Sequence, residues 1–347
     1  MSDRSPFRQL FLARMREFYR QPEVVFWVFG FPILLAVGLG IAFRNKAPDE
    51  VAVGVVRGAN SEATAAALAS KDGFSTHVIE AADAENELRL GKVSIVVETG
   101  APGEAVTLRF DPTRPESVLA RTRVDDALQR AAGRADPLTM REELVTKPGA
   151  RYIDFLIPGL LGMNIMSGGL WGIGFVIVEM RSRKLLKRLV ATPMKRAHFM
   201  AASMASRMVL VIGELALLLF FGWAVFDMVT QGSWLLVTAL ALLGAFTFAG
   251  IGLLVASRAR KIETVSGLMN LVMMPMFVTS GVFFSSDRFP DVVQPIVKAL
   301  PLTALNDALR AVILEGADLP SQLGRVAILA AWGVVSFVLA LRLFRWT

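Results

Sequence analysis

The chain has 347 residues, of which 54% are hydrophobic and 19% charged, and it contains no cysteine. A soluble domain has about 45–50% apolar and about 25% charged residues, whereas here the apolar residues fall in blocks of about twenty, which suits a bilayer. The lack of cysteine excludes disulfides and thiolate chemistry, and two histidines far apart do not make a zinc site. The net charge of +7 lies beside the apolar blocks, so positive-inside asymmetry explains it without nucleic acid as a partner.

Residues 1–22 are predicted to form an amphipathic helix on the cytoplasmic surface of the membrane. Ser5 would cap this helix and Pro6 would occupy its first turn, and phenylalanines at helical spacing are interleaved with arginines. Residues 23–44 follow as the first transmembrane helix, with an apolar run over 24–43. A cleaved signal peptide is the competing interpretation, but its apolar region has only about 7–15 residues, so an uncleaved anchor is favoured.

Residues 45–150 are predicted to form a small α/β domain outside the cytoplasm. Acidic and basic residues are nearly balanced in this region, and no apolar run is long enough to span a membrane. Strand-like and helix-like segments alternate, which is typical of an α/β fold. The predicted strands are 51–56, 74–79, 93–97 and 106–110, and the predicted helices are 63–68, 83–90 and 115–132.

Residues 151–347 are predicted to contain five more transmembrane helices. Their apolar blocks lie at 153–178, 208–226, 234–256, 264–284 and 324–344. Basic residues at 179–207, at 258–261 and near the C-terminus place these segments and both termini in the cytoplasm. The fold class is therefore an α-helical polytopic membrane protein with six transmembrane helices and an extracytoplasmic α/β domain after the first. The proline-broken stretch 285–320 is predicted to form an outer re-entrant or interfacial segment.

Residues 179–207, here called the basic segment, are the main functional candidate. Four apolar residues share one face of a predicted helix in it, namely Leu185, Leu186, Leu189 and Val190. Thr192 and Pro193 break this pattern and would start a second short helix. The alternative is an ordinary cytoplasmic loop, because such loops are basic in most membrane proteins.

A few polar or helix-bending residues inside the spans are candidates for a translocation pathway. Glu214 either lines a substrate route or forms a buried ion pair, since a central carboxylate costs about 2.5–3.5 kcal/mol. Asn164 and Asn270 can be satisfied by interhelical hydrogen bonds, and Asn270 is also a pathway candidate. Pro275 should kink the fifth span, and the G-x-x-x-G pattern that starts at Gly168 predicts close helix packing, with a dimer contact as the alternative.

Enzymatic motifs are missing from the sequence. There is no G-x-x-x-x-G-K-[ST] phosphate loop and no G-x-S-x-G nucleophile elbow. We therefore predict no catalytic residue and no metal ligand, and the chain is not expected to be an enzyme. A membrane-embedded enzyme is a third, weaker possibility, because no constellation of acid, base or metal ligands supports it.

Two motifs carry a family resemblance, RKLLKRLVATPMKRAHFM at 183–200 and LPLTALNDALRAVILEG at 300–316. With the order of the spans, they make the chain resemble the permease of an ABC-2 type exporter. The first motif is similar to the family's cytoplasmic coupling segment, although 181–184 stand where many members have a Glu/Arg-Gly-Thr run. The resemblance implies ATPase coupling for Glu179, Arg183, Leu186, Leu189, Thr192 and Pro193, and it matches the family's second motif at Pro301, Thr303, Asp307 and Arg310.

The resemblance also implies partners and a location. A second permease copy, as in a homodimer, and two ABC ATPase subunits are expected. Those subunits would use ATP and Mg²⁺, while this chain binds no cofactor itself. The expected function is export of an amphipathic or lipophilic compound, or of an envelope component, across the bacterial cytoplasmic (inner) membrane. The alternative is a non-transport sensor or scaffold that acts through the outer α/β domain.

Overall fold

The computed structural model describes residues 6–42, 50–100, 105–135, 137–138, 151–191 and 196–343. The chain divides into an α/β unit, residues 45–144, and a helical unit formed by the rest. The helices are α1 (Pro6–Tyr19), α2 (Pro22–Ala42), α3 (Ser61–Ala69), α4 (Ala84–Arg89), α5 (Pro115–Ala131), α6 (Tyr152–Ser182), α7 (Leu185–Val190), α8 (Arg196–Phe226), α9 (Trp234–Ala256), α10 (Ile262–Thr279), α11 (Gln294–Ala299), α12 (Pro301–Glu315) and α13 (Leu319–Leu343). The strands are β1 (Val51–Val56), β2 (Phe74–Ile79), β3 (Ile95–Glu98) and β4 (Thr107–Arg109).

Six helices within the described ranges are long and apolar enough to cross a membrane, namely α2, α6, α8, α9, α10 and α13. This confirms the predicted fold class, a helical membrane protein with six spans and a small sheet domain early in the chain. Two of these helices contain a π-helical turn, α2 at Phe26–Gly30 and α6 at Leu170–Phe175.

The third span differs from its prediction because α8 is one continuous helix of 31 residues. The sequence predicts a short helix after Pro193 and a separate span from Met208. Residues 197–207 are rich in alanine and methionine and lack glycine and proline, so nothing in them ends a helix. The fifth span ends earlier than predicted, at Thr279, because Gly281 just beyond it has a φ of +70° and turns the chain.

Helix α9 lies at the centre of the helical unit and packs against α6, α12 and α13. Glycines let α6 and α9 approach each other closely. A Cβ atom at Gly169 would lie 2.6 Å from the Cβ of Phe248, and one at Gly252 would lie 2.7 Å from the carbonyl oxygen of Gly169. The close helix packing expected from small residues in membrane helices is thus present at this crossing.

The α/β unit contains a four-stranded sheet with the order β2-β1-β3-β4. Strand β1 pairs in parallel with β2 and β3, and β3 pairs antiparallel with β4. The parallel pairs are possible because α3 and α4 connect the three strands. One buried apolar cluster consists of Val51, Val53, Val55, Leu68, Ile95, Val97, Ala120 and Val124, and a second consists of Ile79, Ala84, Val93 and Val96. The structure shows the strand and helix alternation that the sequence predicts; β1 and β2 have the predicted bounds, and the bounds of the other elements differ by up to two residues.

Candidate functional site

The basic segment begins at the end of α6 and turns at Lys184 into α7. Glu179 and Arg183, one helical turn apart, form an ion pair of 2.8 Å, and the Arg183 side chain is 68% exposed. Lys187 and Arg188 of α7 are exposed as well. The segment therefore presents a cationic surface, on which the carboxylate of Glu179 is paired with Arg183.

Leu186 and Leu185 of α7 lie in different environments. Leu186 is only 1% exposed, whereas Leu185 is 36% exposed. The cluster around Leu186 consists of Ile173, Ile177, Phe199, Ala249, Leu253 and Ala340. Leu186 thus supports the segment from inside its own chain, and Leu185 is available to a partner. Leu189 lies in α7, while Thr192 and Pro193 lie outside the described residues.

Lys184 has a φ of +58°, in the left-handed region, where a side chain costs about 1 kcal/mol. It lies in the run where many members of the resembled family have a glycine. We expect Lys184→Gly to raise the free energy of unfolding by up to about 1 kcal/mol, because glycine adopts this conformation freely. Thermal unfolding in detergent measures the change. Lys187→Gly, inside α7, should be destabilising instead, and equal losses in both variants would contradict the expectation.

Helix α1 packs against the start of α8 and the end of α6. The Arg14 guanidinium lies 5.6 Å from the centre of the Phe199 ring, and its Nη2 lies 3.3 Å from the sulfur of Met180. Glu17 pairs with Arg14 at 3.0 Å. A cleft of about 250 Å³ lies among these residues and Leu185. The amphipathic helix is therefore packed on the basic segment by its inner face.

Glu214 forms a buried ion pair with Arg207, two turns earlier on α8. Nη1 of Arg207 lies 2.5 Å from Oε1 of Glu214, and Nη2 lies 3.2 Å from Oε2. The same guanidinium donates to the carbonyl oxygens of Asn164, at 3.3 Å, and Ile165, at 3.5 Å. Because these carbonyls belong to α6, the ion pair ties α8 to α6.

Gly168 provides the space for this ion pair. A Cβ atom at Gly168 would overlap the Arg207 guanidinium, whereas one at Gly172 would meet nothing within 4 Å. The first glycine of the G-x-x-x-G pattern thus accommodates an arginine. In the sequence, Arg207 lies at the end of the basic segment, and its role as the partner of Glu214 is not predicted. The seven-residue spacing from Arg207 to Glu214 is the signal that could have found the pair, since it places both on one helix face.

The other two pathway candidates, Asn270 and Pro275, lie on α10 and are exposed. Only 22% of the residues in the apolar part of α10 are buried within the chain. Glu214 is buried, so the structure does not bring it to the same surface as Asn270. Asn164 donates to the carbonyl oxygen of Val28 in α2 at 2.8 Å, which confirms the interhelical hydrogen bond expected for it.

Arg310, in the second motif, joins three parts of the helical unit. Its guanidinium lies 3.6 Å from the centre of the Phe155 ring and donates to the carbonyl oxygens of Phe155, at 3.1 Å, and Gly281. The carboxylate of Asp307 lies 3.9 Å from it. Arg310 therefore links α12 to α6 and to the turn after α10.

The other motif residues share α12, which begins at Pro301 and has twelve of its 15 residues buried. Thr303 is 1% exposed. Asn306 lies within the second motif but is not one of its matched residues. It donates to the carbonyl oxygen of Ser280 at 2.8 Å. A Cβ atom at Gly162 of α6 would overlap Oδ1 of Asn306. The motif thus forms a helix held closely against α6 and the end of α10.

No group of three or more His, Cys, Asp or Glu side chains in the described part of the chain could hold a metal ion. His77 pairs with Glu87 at 3.2 Å on the surface of the α/β unit. In the helical unit, the side chains of Asn164, Arg207 and Arg310 instead join one helix to another. Such contacts hold neighbouring helices in register.

The family model described as ABC-2 family transporter protein matches residues 22–342. The linearmycin resistance permease protein LnrN of Bacillus subtilis is 28% identical over 174 residues, which is 50% of this chain and 45% of that protein. The putative transport permease YvfS of the same species is 24% identical over 139 residues, 40% of this chain and 56% of the relative. The inner membrane transport permease YhhJ of Escherichia coli is 27% identical over 176 residues, 50% of this chain and 47% of the relative.

Each of these matches spans about half of the relative's length. The family model, by contrast, covers most of this chain, including both motifs and the six candidate spans up to residue 342. The chain belongs to the ABC-2 family of transporter proteins.

Proposed function

We propose that this chain is the permease subunit of an ATP-driven exporter. It would form the translocation pathway for an amphipathic or lipophilic compound, or for an envelope component. Two separate ABC ATPase subunits would bind ATP and Mg²⁺ and supply the energy. The family membership carries the proposal, and the named relatives support it because their descriptions are those of permeases.

The charge distribution supports an orientation with the basic segment and both termini in the cytoplasm of a bacterium and the α/β unit outside its inner membrane. Arg183, Lys187 and Arg188 are exposed on the basic segment. Arg258 and Arg260, in the loop between α9 and α10, are exposed too. Both loops lie at one end of the helical unit, because hydrogen bonds join the end of α6 to the end of α9. By positive-inside asymmetry, that end would lie in the cytoplasm.

The contacts of α11 and α12 support a re-entrant segment on the outer side. Trp332 Nε1 donates to the carbonyl oxygen of Ala299, the last residue of α11, at 2.9 Å. Trp332 lies thirteen residues after the start of α13, which corresponds to about 20 Å of helix. At the other end of α12, the backbone N–H of Gln231, in the short loop before α9, donates to the carbonyl oxygen of Ile313 at 2.8 Å. Helix α12 would therefore rise from the membrane interior to the outer surface.

The exposed side of α10 supports pairing with a second copy of the chain. Asn270 is exposed there, and a polar amide in contact with lipid is unfavourable. A second copy or a polar route between two copies would shelter this amide. Asn270 and Pro275 would then face the pathway, while the Glu214–Arg207 ion pair would hold α8 against α6 behind it.

The basic segment is the expected site of ATPase coupling, since Arg183, Lys187 and Arg188 are exposed on it together with Leu185. Nucleotide-driven closure of the ATPases would move this segment and shift the helical unit between inward-facing and outward-facing states. Leu186 would transmit the movement, because it is packed among residues of α6, α8, α9 and α13.

The proposal predicts that the permease, copurified with the ABC ATPase encoded beside it, stimulates ATP hydrolysis in lipid vesicles. Lys187→Glu should weaken both copurification and stimulation by about tenfold, because it reverses an exposed charge on the coupling surface. Lys92→Glu, an equal charge change on the exposed surface of the α/β unit, is the control and should have little effect.

Two results would contradict the proposal. One is an ATPase that neither binds the wild-type chain nor responds to it. The other is labelling of a single cysteine at position 187 from outside the cell, which the cysteine-free chain makes simple to test. Labelling of residue 92, in the α/β unit, from outside should accompany the expected orientation.

A further inference from the structure

Arg181 connects two loops at the same end of the helical unit. It lies near the end of α6, and its Nη1 lies 2.9 Å from the carbonyl oxygen of Ala256 and 2.5 Å from that of Ala259. Its Nη2 lies 3.4 Å from the carbonyl oxygen of Ser257. All three acceptors belong to the last turn of α9 or to the residues just after it, so one side chain of the basic segment holds the start of the α9–α10 loop.

These carbonyl groups need such a donor. The last four carbonyl groups of a helix have no partner within the helix, and the end of the helix carries a partial negative charge. Ser257 is 3% exposed and Ala259 is 6% exposed, so water has little access to this turn. A planar guanidinium with five N–H groups can serve several carbonyl oxygens at once, which an ammonium group does less well.

The neighbouring Arg183 shows that this arrangement is specific to Arg181. Arg183 carries the same charge two residues later, just after the end of α6, but it pairs with Glu179 of α6 and is 68% exposed. A general need for positive charge in the basic segment would be met by either residue. Only Arg181 of the two reaches the α9–α10 loop.

We propose that Arg181 is a positioning residue that fastens the basic segment to the α9–α10 loop, so that the two loops move as one unit. A displacement of α7 would then reach α10, which carries Asn270 and Pro275. The transport consequence rests on the proposed function, whereas the fastening itself can be measured on the permease alone.

Hydrogen–deuterium exchange of the free permease in lipid nanodiscs tests the fastening. In Arg181→Ala, backbone amides of residues 256–263 should exchange about tenfold faster than in the wild type, because the turn opens more readily without its donor. Arg183→Ala is the matched control and should stay within about twofold. Arg181→Lys should lie between the two, which keeps the test decisive if the alanine variant does not fold. Unchanged exchange in the Arg181 variants, or an equal increase in Arg183→Ala, overturns the proposal.

The transmission is tested in the complex with the ATPase, with and without a non-hydrolysable ATP analogue. In the wild type the analogue should change the exchange of both α7 and α10, and in Arg181→Ala it should change that of α7 alone. An α10 response as large as in the wild type overturns the proposed transmission. A wild-type complex in which neither helix responds counts against the proposed function, and the free permease then decides whether Arg181 fastens the loops.

Discussion

Replacing Glu214 by glutamine is expected to lower the free energy of unfolding by about 3–5 kcal/mol, because the Arg207 guanidinium then stays buried without its counter-charge. The side chains of Arg207 and Glu214 are only 5% and 0% exposed, so water cannot replace the lost partner. Thermal or denaturant unfolding of the purified chain in detergent measures the loss.

The double variant Arg207→Met, Glu214→Leu should recover most of this loss, since it removes both buried charges together. Arg183→Met, which removes the exposed pair with Glu179, is the control and should change stability by less than about 1 kcal/mol. A double variant as unstable as the sum of the single ones, or a Glu214→Gln variant no less stable than the control, would show that the ion pair does not hold α8 to α6.

Arg310→Met is expected to lower the free energy of unfolding by at least about 3 kcal/mol, since it removes two charge-assisted hydrogen bonds of about 1.5–3 kcal/mol each. It leaves the carbonyl oxygens of Phe155 and Gly281 without this donor and removes the cation from the Phe155 ring. Unfolding in detergent measures the stability, and proteolysis of the 280–300 stretch should become faster as the turn after α10 loosens.

Two variants make the Arg310 result specific. Arg310→Lys keeps the charge but loses the planar fork and the stacking, so we expect an intermediate loss. Arg288→Met changes an exposed arginine near the same turn and should have little effect. If Arg310→Met changed the free energy of unfolding no more than Arg288→Met does, Arg310 would not be needed to pack α12 against α6.

The membrane architecture could be predicted from the sequence because a bilayer selects for length and hydropathy, which are properties of single segments. The α9 span at 234–256 agrees residue for residue, and β1 and β2 agree as well. The ends of two spans were predicted less accurately, because they depend on backbone conformation and not on hydropathy. The left-handed Gly281 ends α10 before its apolar run ends, and the alanine-rich 197–207 stretch continues α8 beyond the bilayer-length block.

The contacts of the candidate site could not be predicted in the same way, because a helical stripe shows that a face is apolar without showing what covers it. Leu186 is covered by its own chain, so the stripe on α7 did not by itself identify a docking surface. Arg207 resembles the other cations of the basic segment in sequence, and its partner becomes evident only when its spacing to Glu214 is considered. Arg181 is similar, since its acceptors are backbone carbonyl oxygens 75 to 78 residues away.

The length of α8 has a mechanical consequence. Thirty-one residues make a rod of about 46 Å, whereas the hydrocarbon layer is about 30 Å thick. Roughly 16 Å of the rod would therefore extend beyond the hydrocarbon layer, with no break in the helix at the lipid boundary. Because the helix is continuous, a rotation of the part outside the hydrocarbon layer would be transmitted directly to the part within the membrane.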